Sequence, residues 1–190
     1  MAIVAVVFHS ASGTTEKLAN SIISGAVSLS GVDVLKVEIL GSDIVEGRYQ
    51  NQKTLDSLDN VDAIIFGSPT YMGSASAQFK AFADATGDKW SEKTWTDKIA
   101  GGFTIGSNFS GDQLMTTQYF QIFANQHGMV WASLDIPGGC DPEGRNRLGA
   151  QSGLIAQSKD NNLNKTDLIT ARYLGLRVAK LALRHSKNET

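Results

Sequence analysis

The sequence predicts an α/β fold: a doubly wound parallel sheet of five strands in the order 2-1-3-4-5, with helices on both faces. Three observations carry it. Short β-branched runs alternate with segments of helical period along the 190 residues. The first run is continuously apolar, as a strand covered on both faces requires, and the third reads as buried again. Polar turns bearing glycine follow the first, third and fourth runs, where open parallel sheets bind ligands.

The elements follow in order. AIVAVVF at 2–8 is the first buried strand. Leu18, Ile22, Ala26 and Leu29, flanked by Ala19 and Ile23, then recur at helical spacing. VDVLKVEI at 32–39 alternates, which suits an edge strand, and VDAIIFG at 61–67 is buried again. Ala75, Phe79, Phe82 and Ala83 mark a helix that Ser74 is placed to cap. IAGGFTIG at 99–106 is the fourth strand, and Met115, Tyr119, Ile122 and Phe123 give the buried stripe of the next helix. MVWASLDI at 129–136 is read as the fifth strand. From Pro137 to Asn164 the chain is rich in Gly, Asn and Ser, and reads as a surface excursion used in subunit contacts. A last helix starts near Asn164 and turns Ala171, Leu174, Val178 and Leu181 to one side. A chain of this length makes one domain, 1–190, the expectation.

Composition narrows the function classes. Seventeen basic against nineteen acidic residues give a net charge of −2, so no basic excess serves nucleic acid. Apolar residues at 42% and charged residues at 19% are those of a folded globule. Cys140 is the single cysteine, which excludes an internal disulfide and suits a reducing, cytoplasmic setting. The apolar start, MAIVAVVF, is too short for a membrane span and has no basic residue before it. No spacing of His, Cys, Asp or Glu suggests a metal site.

The chemistry concentrates in three loops that the expected strand order brings together. After the first strand comes HSASGTTE. With a helix starting near Thr14, the free amides of Gly13, Thr14 and Thr15 and the hydroxyls of Ser10, Ser12, Thr14 and Thr15 converge as an anion cradle. A plain Ser/Thr-rich helix cap is its rival. After the third strand, GSPTYMG stiffens at Pro69, displays Thr70, Tyr71 and Met72, and turns at Gly73; an aromatic beside a thioether suits a flat ring. After the fourth, GSNFSGD at 106–112 offers backbone amides and Asn108 to the edge of a heterocycle. A phosphate joined by a flexible chain to a planar ring fits all three, which describes flavin mononucleotide (FMN). The glycine fingerprint of dinucleotide sites and the GK[ST] ending of a Walker loop are absent, and His9 and Ser10 stand where a receiver domain has an acidic pair. No G-x-S-x-G motif supports a hydrolase. His9 ends a strand, where a structural role weighs at least as much as a functional one. His127 begins a turn and could be only a helix-end residue, and His185 reads as solvated.

SASGTTE resembles the phosphate loop of flavodoxins. GSPTYMGSASAQFKAFADATGDKW, HGMV at 127–130 and ITARYLGLRVAKLA are similar to the NAD(P)H:quinone oxidoreductases of the tryptophan-repressor-binding-protein type, and the similarity spans nearly the whole chain. That resemblance implies a flavodoxin-like fold, noncovalent FMN, two-electron reduction by NADH or NADPH, a quinone acceptor, and dimers or tetramers in which a neighbouring subunit helps to build the site. It places the cofactor against Ser10, Ala11, Ser12, Gly13, Thr14, Thr15, Pro69, Thr70, Tyr71, Met72, Gly73, Gly106, Ser107, Asn108, Phe109, Gly111 and Gln126. Substrate then meets Tyr71, Trp90 and Phe109. The chemistry is the flavin's, so no catalytic side chain is expected beyond solvent or His127 as a proton source. The chain departs from the family at Asn108 and Phe109, which narrow the cleft. It also has Gln126 in place of the first of two histidines, which leaves open whether Gln126 or His127 faces the flavin. No Arg cluster is placed to recognise a 2′-phosphate, although Arg145 and Arg147 of the long loop could move there. A flavodoxin-like electron carrier without substrate turnover is the second reading.

Overall fold

The computed structural model describes residues 1–186; the last four residues of the expected domain lie outside the described residues. β1 (Ala2–Phe8), α1 (Thr14–Ala26) and β2 (Val32–Glu38) open the chain. A small ribbon of β3 (Ile44–Val45) and β4 (Arg48–Tyr49) precedes α2 (Gln52–Ser57). Then come β5 (Ala63–Tyr71), β6 (Ser74–Ala75), α3 (Ala77–Asp84) and α4 (Gly87–Ser91). β7 (Ile99–Gly106), α5 (Gln113–Gln126), β8 (Val130–Trp131), β9 (Leu154–Lys159), β10 (Asn162–Leu163) and α6 (Lys165–Ser186) complete it.

The expected α/β architecture is present. β2, β1, β5 and β7 lie side by side and parallel, with β2 at the edge. The fifth position is where expectation and structure part. Of the run 129–136, only Val130 and Trp131 pair with β7, opposite Ile99 and Ala100. The chain then leaves the sheet and returns as β9, which runs parallel to the carboxyl half of β7 from Phe103 to Gly106. One sheet position is thus filled by two segments. The stretch read as a surface excursion is in part sheet.

The excursion proper is fastened rather than loose. Arg145 makes a two-pronged pair with Asp141, at 3.0 and 2.7 Å, and lies 4.6 Å from the Tyr173 ring on α6. The pairing holds the Asp141 carboxyl at about 2, below the usual carboxylate range. Buried Asn146 donates to the Ile136 carbonyl, and its own amide donates to Thr170 of α6. Arg147 makes a two-pronged pair with Asp167, both bonds at 2.8 Å, and the Gln157 amide donates to the same carboxylate. The segment is therefore tied to α6 of its own chain.

Two cores form, one per sheet face. On one side α1 and α6 cover β1, β5 and β7 through Leu18, Ile22, Phe103, Leu174 and Val178. On the other, Phe66, Phe79, Phe82, Phe120 and Phe123 interlock in edge-to-face and tilted pairs. Here α3 is capped by Ser76, whose hydroxyl accepts from the Phe79 amide; Ser74, the expected cap, lies in β6. The stripe expected on α5 is also rotated. Phe123 is buried, but Met115 and Ile122 face solvent, and Thr116, Thr117 and Phe120 pack inward instead.

The approach of α1 to α6 is set by glycine. A Cβ at Gly25 would stand 1.8 Å from the Arg172 carbonyl oxygen, and one at Gly175 1.9 Å from that of Ile22. Neither neighbour is a flexible side chain, so any added carbon separates the two helices. Overpacking of this kind costs about 1–3 kcal/mol. Gly175→Ala is therefore expected to lower the thermal midpoint by several degrees; an unchanged midpoint contradicts the packing described.

Candidate functional site

The carboxyl ends of β1, β5 and β7 open into a cleft of about 370 Å³. α1 presents its first turn to it. Gly13 sits at φ +81° as the residue before the helix, with nothing within 4 Å of where a Cβ would stand. Ser10 Oγ accepts from the Glu16 amide at 3.2 Å, and Ser12 and Thr14 hydroxyls lie 3.2 Å apart. The amides of Gly13, Thr14 and Thr15 precede the first intrahelical donor, the Lys17 amide bonded to the Gly13 carbonyl, and stand at the positive end of the helix. Ser12 and Thr14 line the cleft directly, while Ser10, Ala11, Gly13 and Thr15 shape the loop behind them.

The second wall is not a loop but a strand that overruns the sheet. β5 continues to Tyr71 and folds back on β6 through a two-residue turn, Met72 at φ +47° and Gly73 at φ +78°. Two positive φ angles are what a tight hairpin of this hand needs. Met72 adopts one without glycine's freedom and stands fully exposed beside Tyr71. Pro69, Thr70 and Tyr71 line the cleft; Met72 and Gly73 form its tip.

Thr70 is locked. Thr104 Oγ1 donates to the Ser68 carbonyl at 2.8 Å, so it accepts from Thr70 Oγ1, also at 2.8 Å. Thr70 in turn accepts from Thr116 at 2.7 Å. Its hydroxyl proton is spent inside the protein, and this chain of hydroxyls binds β5, β7 and α5 together.

The third wall follows β7. Gly106 and Ser107 line the cleft with Ile105. Gly106 has no room for a side chain, since a Cβ would fall 2.4 Å from Gln113 Nε2. Gln113 is fully buried beneath this loop and donates to the Ala156 carbonyl at 3.0 Å. Gly111 and Asp112 take positive φ to lead into α5. Asn108 and Phe109 turn into a second crevice, adjoining the first.

Three lining residues escape the sequence reading: Ser158, Asp160 and Asn161. They belong to β9 and to the two-residue turn joining it to β10, where Asp160 and Asn161 both take positive φ. The DN pair after an apolar-alternating run was the available signal, hidden by the polar stretch around it.

Gln126 and Trp90 do not join this cleft. α5 begins under the third loop and runs roughly 20 Å to Gln126, at the amino edge of the sheet. There Gln126, half-exposed Trp90 and His127 border a separate hollow with Thr96 and Gly128. His127 is buried, contrary to a proton-supplying role. Thr86 Oγ1 donates to the Ala83 carbonyl, so it accepts from His127 Nε2 at 2.9 Å, which leaves Nδ1 as the bare nitrogen. Trp95 stacks on the ring at 4.5 Å. Burial pushes the imidazole down to about 4. His9 takes the structural role, its Nδ1 3.1 Å from the Ile39 carbonyl, whereas His185 lies in the last turn of α6, partly buried rather than solvated. Arg145 and Arg147 are both committed to carboxylates, so neither is free for a nucleotide phosphate.

The family model of the NADPH-dependent FMN reductases matches residues 3–135. The chain belongs to that family. It is 35% identical over 184 residues to flavodoxin FldP of Pseudomonas aeruginosa, covering 93% of this chain and 94% of the relative. It is 30% identical over 205 residues to an NAD(P)H dehydrogenase (quinone) of Geotalea uraniireducens, covering 95% and 98%. Among solved structures, a flavodoxin, WrbA-like protein from Agrobacterium tumefaciens superimposes with a TM-score of 0.78 at 37% identity, covering 97% and 99% of the two chains. The expected flavodoxin-like fold is therefore the one present.

FMN fits the residues of the cleft. Neutral amides and hydroxyls around open space at Gly13 suit a phosphate dianion, and the exposed Tyr71 and Met72 suit a ring. Among the described residues no cluster of His, Cys, Asp or Glu could hold a metal, and no helix is long and apolar enough to cross a membrane.

Because His127 is neutral when folded but titrates near 6.5 when unfolded, the unfolded chain binds more protons between these values. Stability is then full above pH 6.5 and falls as pH drops towards 4, by on the order of 3 kcal/mol from this residue. Denaturant melts of wild type and His127→Gln across that window are expected to converge at low pH; parallel curves would contradict the assignment.

Proposed function

We propose that the protein is an FMN-dependent oxidoreductase taking two electrons from NADH or NADPH and passing them to a quinone or similar acceptor. The observation that carries this reading is the cleft in which the first turn of α1, the Tyr71 hairpin and the loop after β7 meet. Relatives at 30% and 32% identity that are named NAD(P)H dehydrogenase (quinone) support it.

When bound, FMN would supply the redox chemistry, the reversible two-electron reduction of its ring. The chain's own work is to bind and to orient. Amides of Gly13, Thr14 and Thr15 with the hydroxyls of Ser12 and Thr14 take the phosphate, without a cation. Ser158, Asp160 and Asn161, with the backbone at Pro69 and Thr70, face the sugar-alcohol chain. Gly106, Ser107 and Asn108 offer backbone and amide groups to the polar edge of the ring. Tyr71 and Met72 border its open face, where donor and acceptor take turns. Of the described residues lining this cleft only Tyr71 and Asp160 carry ionisable side chains, and protons come from solvent.

Trp90 and Gln126 serve the site only from another copy of the chain, at the mouth of a neighbour's cleft. The outward Met115 and Ile122 of α5 and exposed Val130 support assembly as a dimer or tetramer. The free Cys140 suits the cytoplasm.

A second reading, an electron carrier without turnover, is favoured by one observation. The alignment with the flavodoxin of Pseudomonas aeruginosa spans 184 positions, whereas that with the quinone dehydrogenase needs 205, more than the chain's own length. Anaerobic titration of the FMN-loaded protein separates the two. The oxidoreductase reading expects NADH or NADPH to bleach the visible flavin absorbance and benzoquinone to restore it. No bleaching by either nucleotide would leave the carrier.

A further inference from the structure

Beside the cofactor cleft lies a crevice of about 540 Å³, walled by the loop after β7 and by the strand and turn that the sequence reading took for loop. It shares Ser107, Ser158 and Asp160 with the cleft, so the two are continuous. Its floor is fixed: Gln157 Nε2 donates to the Ser107 carbonyl at 3.0 Å, and the Gln157 amide is held by Asp167. Phe109 forms one wall, 67% exposed although it is a large apolar ring. The Arg147 guanidinium, 5.8 Å from the ring centre and anchored on Asp167, holds it from one side. Lys159 also lines the crevice, and its ammonium enters no hydrogen bond or ion pair among the described residues.

We infer that this crevice takes the adenosine diphosphate arm of the nicotinamide donor, with adenine against Phe109 and the pyrophosphate on Lys159. An exposed aromatic face suits a purine, and an unpaired ammonium lining the same crevice suits a phosphate. Continuity with the cleft lets the nicotinamide end reach the ring site while the other end stays here. The inference rests on the proposed function for the identity of the donor. It carries a consequence for selectivity. With Arg145 and Arg147 both neutralised by carboxylates, Lys159 is the crevice's one unpaired cation among the described residues, and none remains for a 2′-phosphate. NADH and NADPH are then used with similar efficiency.

The test uses ADP-ribose as the probe, titrated by calorimetry into the FMN-loaded protein. Wild type is expected to bind it, and Lys159→Met to bind about tenfold more weakly, the loss of one charge-assisted contact. FMN affinity should be unchanged in that variant, which also shows that it folds. Lys180→Met, removing an exposed charge on α6, should match wild type. Absence of ADP-ribose binding to wild type, or equal binding by Lys159→Met, would overturn the inference. Either result leaves flavin bleaching by NADH untouched, whereas failure to bleach sinks the oxidoreductase reading whatever ADP-ribose does.

Discussion

The contact between α1 and α6 is the constraint on which the rest of the structure depends. Carbonyl oxygens of Ile22 and Arg172 occupy the places where Cβ atoms of Gly175 and Gly25 would be. Two helices that close act as one slab over β1, β5 and β7. α1 follows β1, and α6 follows the short antiparallel β9–β10 hairpin at the carboxyl end of β9, so both start near the carboxyl edge of the sheet. Fixing one against the other therefore fixes the first turn of α1, with its unanswered amides, relative to the β9–β10 turn that leads into α6. The phosphate loop and the Asp160–Asn161 turn face each other across the cleft because two glycines let their helices touch.

The divided fifth strand extends the same logic. β8 starts beside the amino half of β7, and β9 finishes beside its carboxyl half. Between them the chain makes a detour that ends in the Arg147–Asp167 pair, with Asp167 almost wholly buried. A buried pair of this kind adds little net stability over an apolar contact, but losing one partner strands a charge. Its value here is positional. It holds the start of α6, the Gln157 backbone and the Phe109 ring together, and so ties the detour to both hollows.

Much of this was legible in the sequence, and the reasons differ by element. The buried strands at 2–8 and 99–106 and the start of α1 at Thr14 follow from apolar runs ended by polar turns, and the structure has them there. β9 was not legible. LIAQSK alternates, but it lies in a stretch rich in Gly, Asn and Ser, whose composition reads as loop, while MVWASLDI has the better strand composition and mostly leaves the sheet. Tertiary pairing overrode local preference. The α5 stripe failed for another reason. Met115 and Ile122 have core-like spacing, but spacing does not say whether a face meets its own sheet or something outside the chain. Gln126 and Trp90 were grouped with the cleft through resemblance to a family of oligomers, and one protomer keeps them at the other edge. Gln113, buried under the third loop, had no sequence signal at all.

The central claim is that the first turn of α1 is a phosphate site, and that it sets how the cofactor is held. The most direct measurement compares the affinities of FMN and riboflavin, which differ only in that phosphate, by fluorescence titration of the cofactor-free protein. Two or more charge-assisted hydrogen bonds from the Gly13–Thr15 amides predict FMN tighter by about a hundredfold or more. Equal affinities would contradict the account, since the cleft would then be holding the ring alone.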